Sequence, residues 1–159
     1  DGKKAAAYLN IGGGEQNYHE AYSGDVLELN RWHHLAMTYD GSVLKVYVDG
    51  HEAGANKIEK ERKGGVTPLD IGRRQDGYIY FQGKIDEVRL YNRALSAEEV
   101  KQNTAATGSA DSQDKVATDG LVGYWGFDEV PATLPKVEGI IGNAGLTPPY
   151  RILLEKSQW

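Results

Sequence analysis

Polar and apolar residues alternate most regularly between Trp32 and Gly50, in the run WHHLAMTYDGSVLKVYVDG. Two alternating segments, residues 33–39 and 43–48, flank Asp40-Gly41-Ser42, and the second ends at Asp49-Gly50. Asp-Gly tolerates the positive φ angles that match a tight turn to the twist of its strands, so the pattern predicts a β-hairpin. Along the second strand Leu44, Val46 and Val48 share one face, while Val43, Lys45 and Tyr47 share the other. One side is then buried and the other at least partly wet, which predicts antiparallel sheet packed on sheet.

Weaker signals surround this hairpin. Residues 5–11 read as a strand ended by Gly12, Gly13 and Gly14, residues 17–23 as a polar, tyrosine-bearing loop, and residues 26–29 as a short strand or approach loop. After Gly50 the chain pairs briefly and then continues as loop; residues 68–72 predict a short strand and residues 73–77 a polar loop. Between Tyr78 and Arg93 the apolar positions Ile79, Phe81 and Ile85 give way to Val88 and Leu90, a change of strand phase that implies a bulge or bend, with Gly83 nearby to permit it. A short helix follows. Ser96 is its N-cap, Glu99 the reciprocal partner, and Leu95 and Val100 the two halves of a hydrophobic staple. About two turns are expected before residues 103–120, small and polar, form a linker. Residues 121–129, LVGYWGFDE, are again strand-like, and residues 140–159 show little periodicity.

Composition narrows the function. The chain has 159 residues and a formal net charge of -5, which argues against nucleic acid as a partner because phosphate binding needs a basic face. The basic run KIEKERK is diluted by Glu59 and Glu61 and reads as a solvated loop. With no cysteine, thiol catalysis, disulfides and thiolate metal sites are excluded. No apolar run reaches the ~18 to 20 residues of a membrane span.

Three blocks, WHHLAMTYDGSVLKVYVDG, PLDIGRRQDGYIYFQGKIDEVRLYNRALSAEEV and LVGYWGFDE, together resemble the laminin-G-like domains of the concanavalin A-like lectin/glucanase superfamily. The resemblance spans residues 5–103 through an aromatic-His-His strand, a YVDG turn, a GxIDEVRLYNRALS strand and a capped helix. It implies an all-β, antiparallel jelly-roll sandwich with one short C-terminal capped helix. It also implies carbohydrate or protein binding in extracellular, cell-surface or periplasmic multidomain proteins. One departure stands out. A strand like LVGYWGFDE normally begins such a domain, and here it follows the domain's end. Residues 1–103 are accordingly expected to be a laminin-G-like domain without its usual first strands, residues 104–120 a linker, and residues 121–159 either the start of a following domain or a returning or donated strand. A permuted domain or a chance match is the remaining reading. An incomplete sandwich exposes edges and an apolar face, so association with a larger polypeptide or an oligomer is expected.

The candidate chemistry is weighed on this frame. His33 and His34 are strand neighbours pointing to opposite faces, so they do not converge on one ion, and packing is their expected role. Asp86-Glu87 resembles the carboxylate pair of laminarinase-type glycosidases, but a retaining pair needs alternate strand positions ~5 to 5.5 Å apart. The alternate neighbours here are Lys84 and Val88, or Ile85 and Arg89, so no catalytic residues are assigned and the protein is expected not to be an enzyme. The resemblance implies a structural Ca2+ held by Asp86 and Asp128. For a ligand, Tyr18, Tyr22, Arg73, Tyr78 and Tyr80 are the candidates, since sugars need aromatic faces to stack on and polar groups at their edges. Trp32 and Trp125 are expected in the core. The reading is a non-catalytic glycan-binding module; the alternatives are an adhesive module that joins protein chains and an accessory domain of a glycoside hydrolase.

Overall fold

The computed structural model describes residues 4–12, 17–24, 27–64, 69–73, 80–106 and 116–127. Among these described residues, seven strands and one helix occur in the order β1 (Ala6–Asn10), β2 (Tyr18–Tyr22), β3 (Leu35–Tyr39), β4 (Val43–Val48), β5 (His51–Lys57), β6 (Val88–Tyr91), α1 (Ala97–Ala106) and β7 (Leu121–Trp125). They form a two-stranded sheet β1-β2, a three-stranded sheet β3-β4-β5 and a two-stranded sheet β6-β7. The chain divides into one unit of residues 1–64 and 91–121 and another of residues 65–90 and 122–159.

The predicted hairpin is β3-β4, with Leu35 opposite Val48 and Tyr39 opposite Leu44. Its turn is held by Asp40, whose Oδ1 accepts the N–H groups of Ser42 and Val43, both at 2.8 Å. Those bonds, Val43 first, keep the Asp40 carboxyl below the usual range. Asp49 (φ 49) and Gly50 (φ 81) make a second two-residue turn, and the strand that follows is longer than the sequence suggests: β5 runs seven residues where brief pairing was expected. The reason lies in its residues. Ala53, Gly54 and Ala55 carry little apolar signal, and the strand exists because β4 supplies its hydrogen bonds.

The cover over Leu44, Val46 and Val48 comes from β1 and β2. Ala5, Ala7, Leu9, Ile11 and Ala21 form one core cluster with Leu44, Val46 and Ile58, and Leu27, Tyr39 and Val48 pack against it. The small alanines let the two sheets come close. At Gly54 the approach is tight: a Cβ there would lie 2.0 Å from the Tyr22 carbonyl oxygen. After β5 the chain crosses between sheets, with Ile58 N–H bonded to Ser42 O and Lys63 N–H to Ile11 O.

Residues 18–22, expected as loop, are a strand paired to β1 from Ala6↔Tyr22 to Asn10↔Tyr18. The phase change expected near Gly83 is carried by Glu87 at φ 54, and residues 81–87 are irregular rather than strand. Trp32, expected in the core, is 62% exposed. The side chain anchored inward at that entry to β3 is its neighbour His33, which leaves Trp32 turned outward.

The helix has the capping box the sequence predicts. Ser96 N–H donates to Glu99 Oε2 at 2.8 Å, Glu99 N–H donates to Ser96 Oγ at 3.2 Å, and Val100 of the staple is fully buried. It continues to Ala106, beyond the two turns expected, because Asn103 and Thr104 have bonds that hold them in the helix. Asn103 Nδ2 donates to Tyr91 Oη at 3.0 Å, Asn103 Oδ1 accepts Ala117 N–H at 2.9 Å, and Tyr91 Oη donates to Ala117 O at 2.8 Å. Residues 116–120, read as the end of a linker, are thereby docked beside the helix.

Candidate functional site

Strand alternation places Ala6, Tyr8 and Asn10 of β1, and Tyr18, Glu20 and Tyr22 of β2, on one face of the β1-β2 sheet, opposite the buried Ala7, Leu9 and Ala21. Tyr8, Tyr18 and Tyr22 are each about half exposed. Tyr8 stacks on Tyr18 with ring centroids 5.6 Å apart, and meets Tyr22 edge-on at 6.0 Å and 88°. Two rings lie nearly flat to one another and the third stands as a wall.

A hydrogen-bond chain fixes that wall. Tyr22 Oη lies 2.7 Å from Glu20 Oε2, to which it donates, and 3.2 Å from Tyr8 Oη. These bonds, Tyr8 first and then Glu20, push the Tyr22 hydroxyl far above its ordinary range, so it stays protonated. The face thus offers two ring surfaces, phenolic hydroxyls, a carboxylate at its centre directly opposite Tyr8, and the Asn10 amide at one end. Tyr18 and Tyr22 were predicted as site residues; Tyr8 was not. Its signal was available only as a polar-facing tyrosine in an alternating strand, and the β1-β2 register is what makes it part of the site.

The other predicted residues lie elsewhere. Arg73 and Tyr80 pair as an isolated antiparallel bridge, with Arg73 Nε bonded to Asp70 Oδ1 at 3.1 Å and Tyr80 exposed. They belong to the unit of residues 65–90 and 122–159, whereas the tyrosine face belongs to the other unit. Tyr78 and Asp128 lie outside the described residues. Asp86 is exposed, and its Oδ1 accepts the N–H of Glu87 at 2.9 Å. Glu87 is engaged by Arg89 and, at 2.6 Å, by the Tyr124 hydroxyl, while the Arg89 guanidinium lies 5.0 Å from the Tyr124 ring centre. Asp86 therefore brings one carboxylate, where Ca2+ takes ~6 to 8 oxygens. Among the described residues no group of three or more His, Asp or Glu is arranged to hold a metal ion.

His33 lines an open cleft of about 320 Å³, together with Leu27, Glu28, Asp49 and His51 among others. His33 Nδ1 is 2.9 Å from Asp49 Oδ2, and His34 N–H donates to Asp49 Oδ1 at 2.9 Å. Burial opposes the Asp49 charge, but the bonds from His33 and His34 outweigh it and hold the carboxyl below its usual value. On the other side His34 Nδ1 lies 2.9 Å from Thr104 Oγ1 of α1. The two imidazoles, just ahead of β3, engage different partners: His33 the Asp49 carboxylate and His34 the Thr104 hydroxyl of α1.

The chain is similar to one family model and to two known proteins. A laminin-G family model, described as the concanavalin A-like lectin/glucanases superfamily, matches residues 1–101. Adhesion G-protein coupled receptor V1 of Danio rerio is 26% identical over 98 residues, covering 60% of this chain and 2% of that protein, so the chain spans only a small part of that relative. Among solved structures, an S-layer domain-containing protein of Clostridium thermocellum is 25% identical with a TM-score of 0.40, over 64% of this chain and 51% of that one.

Proposed function

The chain belongs to the concanavalin A-like lectin/glucanases superfamily through its laminin-G-like region, and on that premise we propose that it is a non-catalytic, carbohydrate-binding module of a surface or extracellular multidomain protein. The observation that carries the reading is the face of Tyr8, Tyr18 and Tyr22 around Glu20. Sugar rings present apolar C–H faces and polar edges, and this surface supplies aromatic planes with hydroxyl, carboxylate and amide groups around them. The adhesion receptor to which the chain is similar accords with a surface role. The non-catalytic part rests on the general character of laminin-G-like domains and on Glu87, whose carboxylate is engaged by Arg89 and Tyr124. The structural Ca2+ at Asp86 and Asp128 stays a proposal with its own test: a melting temperature that a chelator leaves unmoved removes it.

A glycan array followed by calorimetry tests the main reading. Removing an aromatic anchor from a small interface costs ~2 kcal/mol or more, about thirtyfold in Kd. Tyr18→Ala should therefore weaken binding about thirtyfold or more while the far-UV spectrum and melting temperature stay close to wild type. A glycan bound equally by wild type and Tyr18→Ala would remove this face from the function.

A second reading, adhesion between chains, is favoured by a different observation. Leu35 and Met37 lie opposite Val48 and Val46, hence on the same inner face, yet each is about half exposed while Val46 is buried. The apolar face continues past its cover. The docking of Ala117 on Asn103 and the pairing of β7 with β6 support a returning Leu121 strand within this chain over the start of a following domain. Sedimentation distinguishes the readings: an oligomer that becomes monomeric in Met37→Asp supports assembly through this face, and a wild-type monomer at all concentrations removes it.

A further inference from the structure

We propose that the tyrosine face selects sugars bearing a protonated amine, that is, hexosamine oligomers with free amino groups, over neutral and acidic glycans; the inference rests on the carbohydrate reading above. The centre of the face decides it. Glu20 stands directly opposite Tyr8, between Tyr18 and Tyr22 on its own strand, so the negative charge sits among the rings rather than at their rim. Its Oε2 accepts the Tyr22 hydroxyl at 2.7 Å, which fixes the carboxylate against the edge-on ring. A cation set on this surface meets both a carboxylate and the negative faces of tyrosine rings, and the two attractions add. A uronate, sulfate or sialate placed there meets the opposite field at the same point.

The nearby basic charge does not cancel this. Lys4 shares the alternation of Ala6 and Tyr8 but precedes the strand, four positions from Tyr8. At ~3.3 Å per residue the Lys4 backbone is about 13 Å from that of Tyr8, whereas Glu20 stands directly opposite Tyr8. Asn10, opposite Tyr18, is neutral and can accept or donate to a ring hydroxyl.

The experiment compares three probes on the full chain by calorimetry: a glucosamine tetramer with free amines, the same tetramer N-acetylated, and a heparin tetrasaccharide. The expected result is that the free-amine tetramer binds at least tenfold tighter than its acetylated form, and the heparin fragment weakest. Glu20→Gln should bring the first two within threefold of each other, with the Tyr18 dependence of binding kept, and raised salt should shrink the preference in wild type. Binding of the acetylated or sulfated probe as tight as the amine, lost on Tyr18→Ala, overturns the amine selection and leaves the carbohydrate reading standing. No binding of any probe, together with an empty glycan array, overturns both.

Discussion

The tight approach of β2 to β5 at Gly54 makes the sharpest prediction. At Gly54 an added Cβ would sit 2.0 Å from the Tyr22 carbonyl oxygen, with Val46 Cγ1 at 3.3 Å behind it. Methyl carbons essentially never come within 3.0 Å of such an atom, so Gly54→Ala must push β2 and β5 apart by about 1 Å against a packed core. Overpacking of this kind costs ~1 to 3 kcal/mol. The shift also strains the two bonds that flank the contact, Gly24 N–H to Ala53 O at 3.0 Å and Asn56 Nδ2 to Glu20 O at 2.8 Å. Each is worth ~1 kcal/mol net. The total expected is a loss of about 2 to 4 kcal/mol, and for a chain of this length a Tm lower by roughly 5 to 15 °C. Urea unfolding followed by tryptophan fluorescence measures it. Gly24→Ala is the control, because its Cβ would meet nothing nearer than Ala53 O at 3.9 Å. If Gly54→Ala changes stability by less than ~0.5 kcal/mol, the ordinary range for a surface substitution, the close packing of β2 on β5 is refuted.

Other perturbations follow from the same structure. Asp49→Asn keeps a residue that accepts the positive φ of 49° while weakening the bonds to His33 and His34, so the loss of about 1 to 2 kcal/mol, read by urea unfolding, reports those bonds and not the turn. Glu99, whose carboxyl is brought down to about 2 chiefly by Arg93 and then by Ser96 N–H, gives an acid signature. A lowered folded-state pKa means its stabilisation is complete above the ordinary glutamate value of ~4.3 and is lost as pH falls through about 2. Between pH 5 and 2, Glu99→Gln should flatten the fall in Tm relative to wild type; parallel curves would contradict the ion pair's role.

Features encoded within a few residues are legible in the sequence alone. The Asp40-Gly41 turn and the Ser96/Glu99 box depend on side chains reaching backbone groups two or three residues away, and both occur as read. The longer helix was hidden because Asn103, a weak helix former, is held by Tyr91 and Ala117, partners that only the folded chain brings near. β2 was hidden for another reason: Tyr18-His19-Glu20-Ala21-Tyr22 inverts the usual pattern, turning its large aromatics out and its small alanine in. β5 likewise carries alanines and a glycine where strands normally carry branched residues.

By itself, the sequence determined the antiparallel hairpin, its buried face of Leu44, Val46 and Val48, the capped helix and the family resemblance, because turn geometry, strand period and capping are local and repeat wherever those residues recur. Only the tertiary structure decided what covers that face and where the tyrosines meet. The cover is β1 and β2, through Ala5, Ala7, Leu9, Ile11 and Ala21, and no local pattern says which strand packs on which face. Tyr8 reaches Tyr18 and Tyr22 through a pairing register between separate strands, and a one-residue slip of that register would turn the same tyrosines into the core.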